Sequence, residues 1–216
     1  MRIIMIGPPG SGKGTQTQLL SKYFHIPCIS TGEILRKEIK KNKKTKKYIK
    51  KTINKGKLIK NSFIIKIIEK NIKKKKFFNG FILDGFPRNI EQAKSLSKKI
   101  NIEYIIYLKI KYDDIIKRIT GRLIHASSGR TYHKIFNPPK IKNKDDITQE
   151  KLCSRNDDNE KTIKIRLQEY KKHTNPLIKW IKKKKKIKFI EIHANQSIKI
   201  VNKKIIYNIN NNNINK

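Results

Sequence analysis

Apolar residues in this chain gather in short unbroken runs, separated by longer lysine-rich stretches in which isoleucine returns at helical spacing. The runs at 2–6, 26–30, 81–83, 104–108 and 187–192 read as strands buried on both faces, because they lack the polar alternation of a half-exposed strand. Helical patterns fill the intervals at about 13–24, 33–40, 45–55, 61–73, 90–99, 113–121, 159–183 and 197–207. Ser30-Thr31-Gly32 stands where a cap for the helix at 33–40 is expected. This alternation predicts an α/β fold: a five-stranded parallel sheet with helices on both faces and a ligand crevice at the carboxyl ends of the strands. Residues 122–158 break the rhythm. Gly129, Pro138, Pro139 and the β-prone stretch Arg130 to His133 predict a small β insertion there. The asparagine-rich end, 208–216, is expected to fray, and no internal repeat is evident.

The first strand runs straight into Gly7-Pro8-Pro9-Gly10-Ser11-Gly12-Lys13-Gly14-Thr15, and a helix follows. Glycines let the backbone curl so that successive N–H groups point inward, the helix N-terminus adds partial positive charge, and Lys13 adds a full one. That combination cradles phosphates. The match to G-x-x-x-x-G-K-[ST] is imperfect, since Gly14 occupies the Ser/Thr position and Thr15 comes one residue later.

Composition narrows the class. A chain of 216 residues suffices for one α/β domain with a small insertion. No signal peptide and no membrane-length apolar stretch is expected. Cys28 and Cys153 are far apart and lack CxxC spacing, so a reduced, cytoplasmic compartment is expected. The formal net charge of +38 would ordinarily suggest nucleic acid. Lysine, however, rises together with isoleucine and asparagine, which points to compositional bias. The lysine runs at 40–47, 73–76 and 182–186 are dispersed and lack interleaved stacking aromatics. No specific nucleic-acid or membrane partner is expected. The eight arginines are informative against 46 lysines: arginine should persist where a planar fork must grip phosphate or carboxylate. All but Arg2 lie in or beside segments that look functional on other grounds.

Four linked segments, GPPGSGKGTQ at 7–16, ISTGEILR at 29–36, GFILDGFPR at 80–88 and FNPP at 136–139, closely resemble adenylate kinases of the bacterial long-lid type. The resemblance runs over nearly the whole chain. It implies a P-loop NTPase core (1–29, 60–121 and 159–216), a helical monophosphate-binding insertion (30–59) and a lid (122–158). It also implies the reaction MgATP + AMP ⇌ 2 ADP in a monomer. ATP would be held by Gly10, Ser11, Gly12, Lys13, Gly14 and Thr15, with Arg122, Thr131 and Tyr132 from the lid and Gln196 through its backbone. AMP would contact Thr31, Arg36, Lys57, Leu58, Ile59, Gly85, Phe86, Pro87, Arg88, Gln92, Arg155 and Arg166. Lys13, Arg88, Arg118, Arg122, Arg155 and Arg166 form the implied catalytic set, with Asp84 holding Mg²⁺ through water. Phe86-Pro87 resembles the family's cis-proline turn, which aims Arg88 into the crevice, and Asp157 and Asp158 would orient arginines.

Many long-lid relatives carry four zinc ligands where this chain has His125, Ser128, Asp145 and Thr148. Neutral hydroxyls are poor zinc ligands, so a metal-free lid held by hydrogen bonds among the four is expected. Other departures are Leu123 after Arg122, Ser127 in place of a common proline, and Gln196 where many relatives have lysine. Two alternatives stand beside this reading: another nucleoside monophosphate kinase of UMP/CMP type, and a basic nucleic-acid-binding protein with an inactive P-loop.

Overall fold

A computed structural model of the chain describes residues 1–214 other than Asn42, Asn156, Lys185 and Lys186. Parts of the lysine runs at 40–47 and 182–186, and the last two residues of the tail, therefore lie outside the described residues. The expected alternation is present. Strand β1 (Arg2–Ile6) leads through the glycine loop to α1 (Lys13–Tyr23), then β2 (Cys28–Ser30). Three helices follow, α2 (Thr31–Lys41), α3 (Lys43–Asn54) and α4 (Asn61–Ile72), before β3 (Phe81–Asp84). Next come α5 (Ile90–Ser97), β4 (Tyr104–Lys109) and α6 (Tyr112–Thr120). These strands, with β7 (Lys188–His193), make one parallel sheet in the order β2-β3-β1-β4-β7.

Both faces of this sheet are covered, which is why its strands are unbroken apolar runs. Ile4 and Ile6 of β1, Phe81 and Leu83 of β3 and Ile105 of β4 face one core with Leu35, Ile49, Ile64, Ile68 and Leu96 from the helices. The alternate residues Ile3, Met5, Ile82, Tyr104, Ile106 and Leu108 face the other, against Leu20 of α1 and Val201, Ile205 and Ile209 of the last helix. The two-residue strand period splits each run between two cores.

The insertion is a small β structure, as expected. Strands β5 (Arg122–Ile124) and β6 (Thr131–His133) pair antiparallel, and isolated bridges join Ile124 to Cys153 and Lys144 to Lys151. Among the described residues its apolar core is Leu123, Tyr132 and Leu152.

Three local expectations are corrected. Thr31 is the first residue of α2 and not its cap, and its hydroxyl donates to the Asp84 carbonyl at 3.0 Å. The long helix expected at 159–183 is divided into α7 (Glu160–Glu169), a π turn at Tyr170–Thr174 and α8 (Asn175–Lys182). The asparagine-rich end is helical within the described residues, because α9 spans Ile198–Ile214. Val201, Ile205 and Ile209 keep four-residue spacing into the core, while the Asn208 and Asn212 amides donate to carbonyls one turn back.

Candidate active site

The carboxyl ends of β1 and β3 open into a cavity of about 570 Å³, roofed by the β5–β6 insertion. The glycine loop forms its floor. Gly12 takes a left-handed φ of 89° as α1 begins, and a Cβ on Gly7 would lie 2.8 Å from the Leu108 carbonyl oxygen. Both positions exclude side chains. Lys13 opens α1 and folds back, its ammonium donating to the Gly7 and Pro8 carbonyls at 2.8 Å each. Burial pushes its pKa down to about 7; Asp84 opposes that shift, and Arg88, Arg166 and Arg122 reinforce it.

Lys13 and six arginines, Arg36, Arg88, Arg118, Arg122, Arg155 and Arg166, line this one cavity. The lining carboxylates are fewer: Glu33, Asp84, Asp157 and Glu169. Burial, then neighbouring charge, lowers Arg88 to about 10 and Arg155 to about 9. Arg36, Arg118 and Arg166 are also lowered, burial first. Among the described residues the buried Arg155 Nε has no hydrogen-bond partner. So many desolvated cations, with so few acids, leave a site short of negative charge.

Asp157, in the cavity wall, and Asp158 beside it aim two of the forks. Asp158 accepts from Arg122 in a bidentate pair, through Nε at 2.7 Å and through Nη2. Asp157 accepts from Arg166 Nη1 at 2.9 Å, with Asp158 at 3.6 Å from the same nitrogen. These are the orienting roles expected of the two aspartates.

Arg88 is held mainly through its backbone, just after the cis peptide between Phe86 and Pro87. Its N–H donates to Gln92 Oε1 at 2.7 Å, its carbonyl accepts from the Thr174 hydroxyl at 2.9 Å, and its Nε donates to the Gly85 carbonyl at 2.8 Å. Gln92 is 2 % exposed and donates its amide to Asn61 Oδ1 at 2.8 Å. Besides lining the cavity, Gln92 therefore braces the Arg88 backbone. Lys57, Leu58, Ile59, Gly85, Pro87 and Gln196 also line the cavity, whereas Phe86 is buried in the core beneath it.

The insertion closes down on both neighbours. Thr131 and Thr15 hydroxyls stand 3.2 Å apart, and the Gln18 amide donates to the Gly129 carbonyl at 3.2 Å. A Cβ on Gly129 would lie 2.5 Å from Glu33 Oε1 on α2, so the tip of the insertion also meets the helical segment. Arg118 lies 5.8 Å from the Phe136 ring at the rim.

His125, Ser128, Asp145 and Thr148 do come together. His125 Nδ1 is 2.7 Å from Ser128 Oγ, and Thr148 Oγ1 is 3.1 Å from Asp145 Oδ2 and 3.3 Å from His125 Nε2. Sequence reasoning missed three further members. Arg130 grips Asp145 with both arms of its fork, at 2.8 and 2.5 Å, Tyr132 donates to Asp145 at 3.0 Å, and Glu150 pairs with His125 Nε2. The Arg130 guanidinium holds the Asp145 carboxyl far below the usual carboxylate range. Among the described residues, no group of three His, Cys, Asp or Glu side chains is arranged to hold a metal ion.

Tyr170 and Thr174 also line the cavity and were missed. Only the Thr-Asn-Pro break at 174–176 could have drawn attention to them. Asn137, within the FNPP segment, lines it too and donates to the Thr131 carbonyl at 3.1 Å.

Comparison with known proteins agrees with this geometry. The sequence model of the family described as adenylate kinase matches residues 5–186. An adenylate kinase of Buchnera aphidicola subsp. Acyrthosiphon pisum (strain Tuc7) is 47 % identical over 209 residues, covering 95 % of this chain and 97 % of the relative. An adenylate kinase of Francisella philomiragia is 44 % identical over 211 residues, covering 95 % and 98 %, and that of Francisella tularensis subsp. novicida is 44 % identical over 216, covering 97 % and 99 %. With a phosphate loop, an arginine-lined cavity and a closing β insertion in one chain, and matches of this length, the chain belongs to the adenylate kinase family.

Proposed function

We propose that this chain catalyses MgATP + AMP ⇌ 2 ADP in the cavity between the glycine loop and the insertion. The observation that carries the reading is the concentration of Lys13 and six arginines around one cavity with too few carboxylates to neutralise them. Such a site gains most from a ligand carrying several phosphates. In this reading Gly10 to Thr15, Arg122, Thr131, Tyr132 and Gln196 hold ATP. Thr31, Arg36, the 57–59 backbone, Gly85, Pro87, Arg88, Gln92, Arg155 and Arg166 hold AMP, while Phe86 acts from the core as support.

The chemistry needs no general base. The second pKa of a phosphate monoester is near ~6, so AMP already presents an anionic nucleophile at neutral pH. The chain must instead hold two polyanions in line and keep water out. Lys13 and the arginines balance charge on the transferring phosphoryl group. Segment 30–59 and the lid at 122–158 are the parts that open and close. Asp84 fits Mg²⁺: its Oδ2 stands 3.7 Å from where a Gly14 Cβ would be, and its carboxylate accepts no hydrogen bond among the described residues. Mg²⁺ bound there through water would shield phosphate charge.

The insertion's polar network takes the place of a structural zinc. Among the described residues no helix is long and apolar enough to cross a membrane, and the reading is completed by a cytoplasmic monomer. A coupled assay with MgATP and a panel of AMP, CMP, UMP and GMP tests the assignment. AMP should be preferred by roughly a hundredfold or more, and Thr31→Ala should erode that preference more than it lowers total activity. Equal rates with UMP and AMP would move the assignment to a pyrimidine monophosphate kinase. No transfer to any monophosphate would favour an inactive P-loop.

A further inference from the structure

The helix that carries Arg166 does not run on evenly. At Tyr170–Thr174 it widens into a π turn, where the Asn175 N–H reaches back five residues to the Tyr170 carbonyl. Pro176, in the first turn of α8, can donate no backbone hydrogen bond. In an unbroken α-helix, eight residues leave Thr174 about 80° away from the face of Arg166. The wide turn absorbs an extra residue and takes back most of that angle. Arg166, Tyr170 and Thr174 consequently all line the cavity.

Thr174 is 6 % exposed, and its one hydroxyl donates to the Arg88 carbonyl at 2.9 Å. That contact ties the α7–α8 helix to the loop after β3. Arg166 is an unfavourable neighbour of Arg88, since its positive charge adds to the burial that lowers the Arg88 pKa. Two buried like charges keep a fixed separation only if their backbones are pinned. Gln92 pins Arg88 from the α5 side, and Thr174 pins it from the side of Arg166.

We infer that Thr174, presented by the π turn, is a positioning residue for Arg88, setting its guanidinium against the acceptor phosphate. The inference rests on the reading that Arg88 grips AMP. Thr174→Val removes the hydroxyl at nearly constant shape and leaves the Arg88 carbonyl unpaired, whereas Thr174→Ser keeps the donor. Thr174→Val should lower kcat/KM for AMP by about tenfold. MgATP affinity, measured by calorimetry without AMP, should stay within about twofold, because the ATP-side groups are untouched. Thr174→Ser should recover most of the loss. In an Arg88→Lys background, itself expected to lose about a hundredfold, Thr174→Val should add little, because the group it positions has lost its fork. If Thr174→Val folds poorly by its melting curve, Thr174→Ala carries the same comparison.

An impaired Arg88→Lys beside a fully active Thr174→Val would overturn the inference alone. So would a Thr174→Val loss that adds in full to Arg88→Lys, or one that falls equally on MgATP binding. A fully active Arg88→Lys would overturn the reading of Arg88 and, with it, the inference.

Discussion

In a chain that places lysine wherever a cation will do, arginine survives where two parallel hydrogen bonds are needed. Six of the eight line the cavity. Arg130 obeys the same rule for another purpose, gripping Asp145 within the insertion. What could not be read was any role that depends on contact through space: Gln92 bracing Arg88, or Thr174 reaching it from 86 residues away. Lys13 could be placed by its motif, but its electrostatics could not. Burial among arginines lowers its pKa to about 7, so above pH 7 the free protein holds it largely neutral. Nucleotide phosphates favour the protonated form and raise that pKa. Binding at pH 8 should therefore take up a proton, and MgATP affinity should weaken as pH rises from 7 to 9. Calorimetry at pH 8 in two buffers of different ionisation enthalpy measures the uptake. ATP is fully ionised there, so its own titration does not interfere. Zero uptake with a pH-independent affinity would show that Lys13 is already protonated in the free protein and would refute its lowered pKa.

At the level of elements, strands were readable because a sheet buried on both faces demands unbroken apolar runs, and only their ends shifted by a residue or two. The π turn was not readable, since Pro176 signals a break without saying which kind. The helical end was misjudged because asparagine content outweighed the spacing of Ile205 and Ile209. The insertion is the element least able to hold itself together, with three of its described residues in an apolar core. Its quartet was expected to bond internally and does, but the strongest partner, Arg130, came from outside the quartet. That partner bears on metal binding. A guanidinium already occupies both Asp145 oxygens, and both His125 nitrogens have partners. A zinc ion would have to displace a cation from its carboxylate and accept two neutral hydroxyls. Elemental analysis should find no stoichiometric zinc, and chelation should stop catalysis through Mg²⁺ without moving Tm. Asp145→Asn should lower Tm and loosen the insertion. Tightly held zinc, with a Tm drop on its removal, would refute the hydrogen-bonded lid.

For the whole molecule, 54 lysines and arginines against 16 acids create a field that no single contact describes. The lysines rise together with isoleucine and asparagine along the chain, but the substrates respond to charge whatever its origin. ATP, AMP and ADP are all anions, and the cavity they enter opens on a molecule of net charge +38. Long-range attraction of this kind raises association rates by roughly 10–10³-fold at low ionic strength, and salt removes it. The Debye length shrinks from about 30 Å at 0.01 M to about 10 Å at 0.1 M, so distant lysines drop out first. Stopped-flow association of MgATP should slow about tenfold or more over that range, while kcat changes little, because closure and transfer occur among groups already in contact. Lys73, Lys74, Lys75 and Lys76 offer a clean control. They are exposed and lie just before β3, at the amino end of the sheet, opposite the cavity. Changing all four to glutamine should slow association at low salt, flatten its salt dependence and leave kcat and the preference for AMP unchanged. Association that ignores both salt and these four charges would mean that capture is governed by the cavity's own arginines, with the surface lysines as mere solvated exterior.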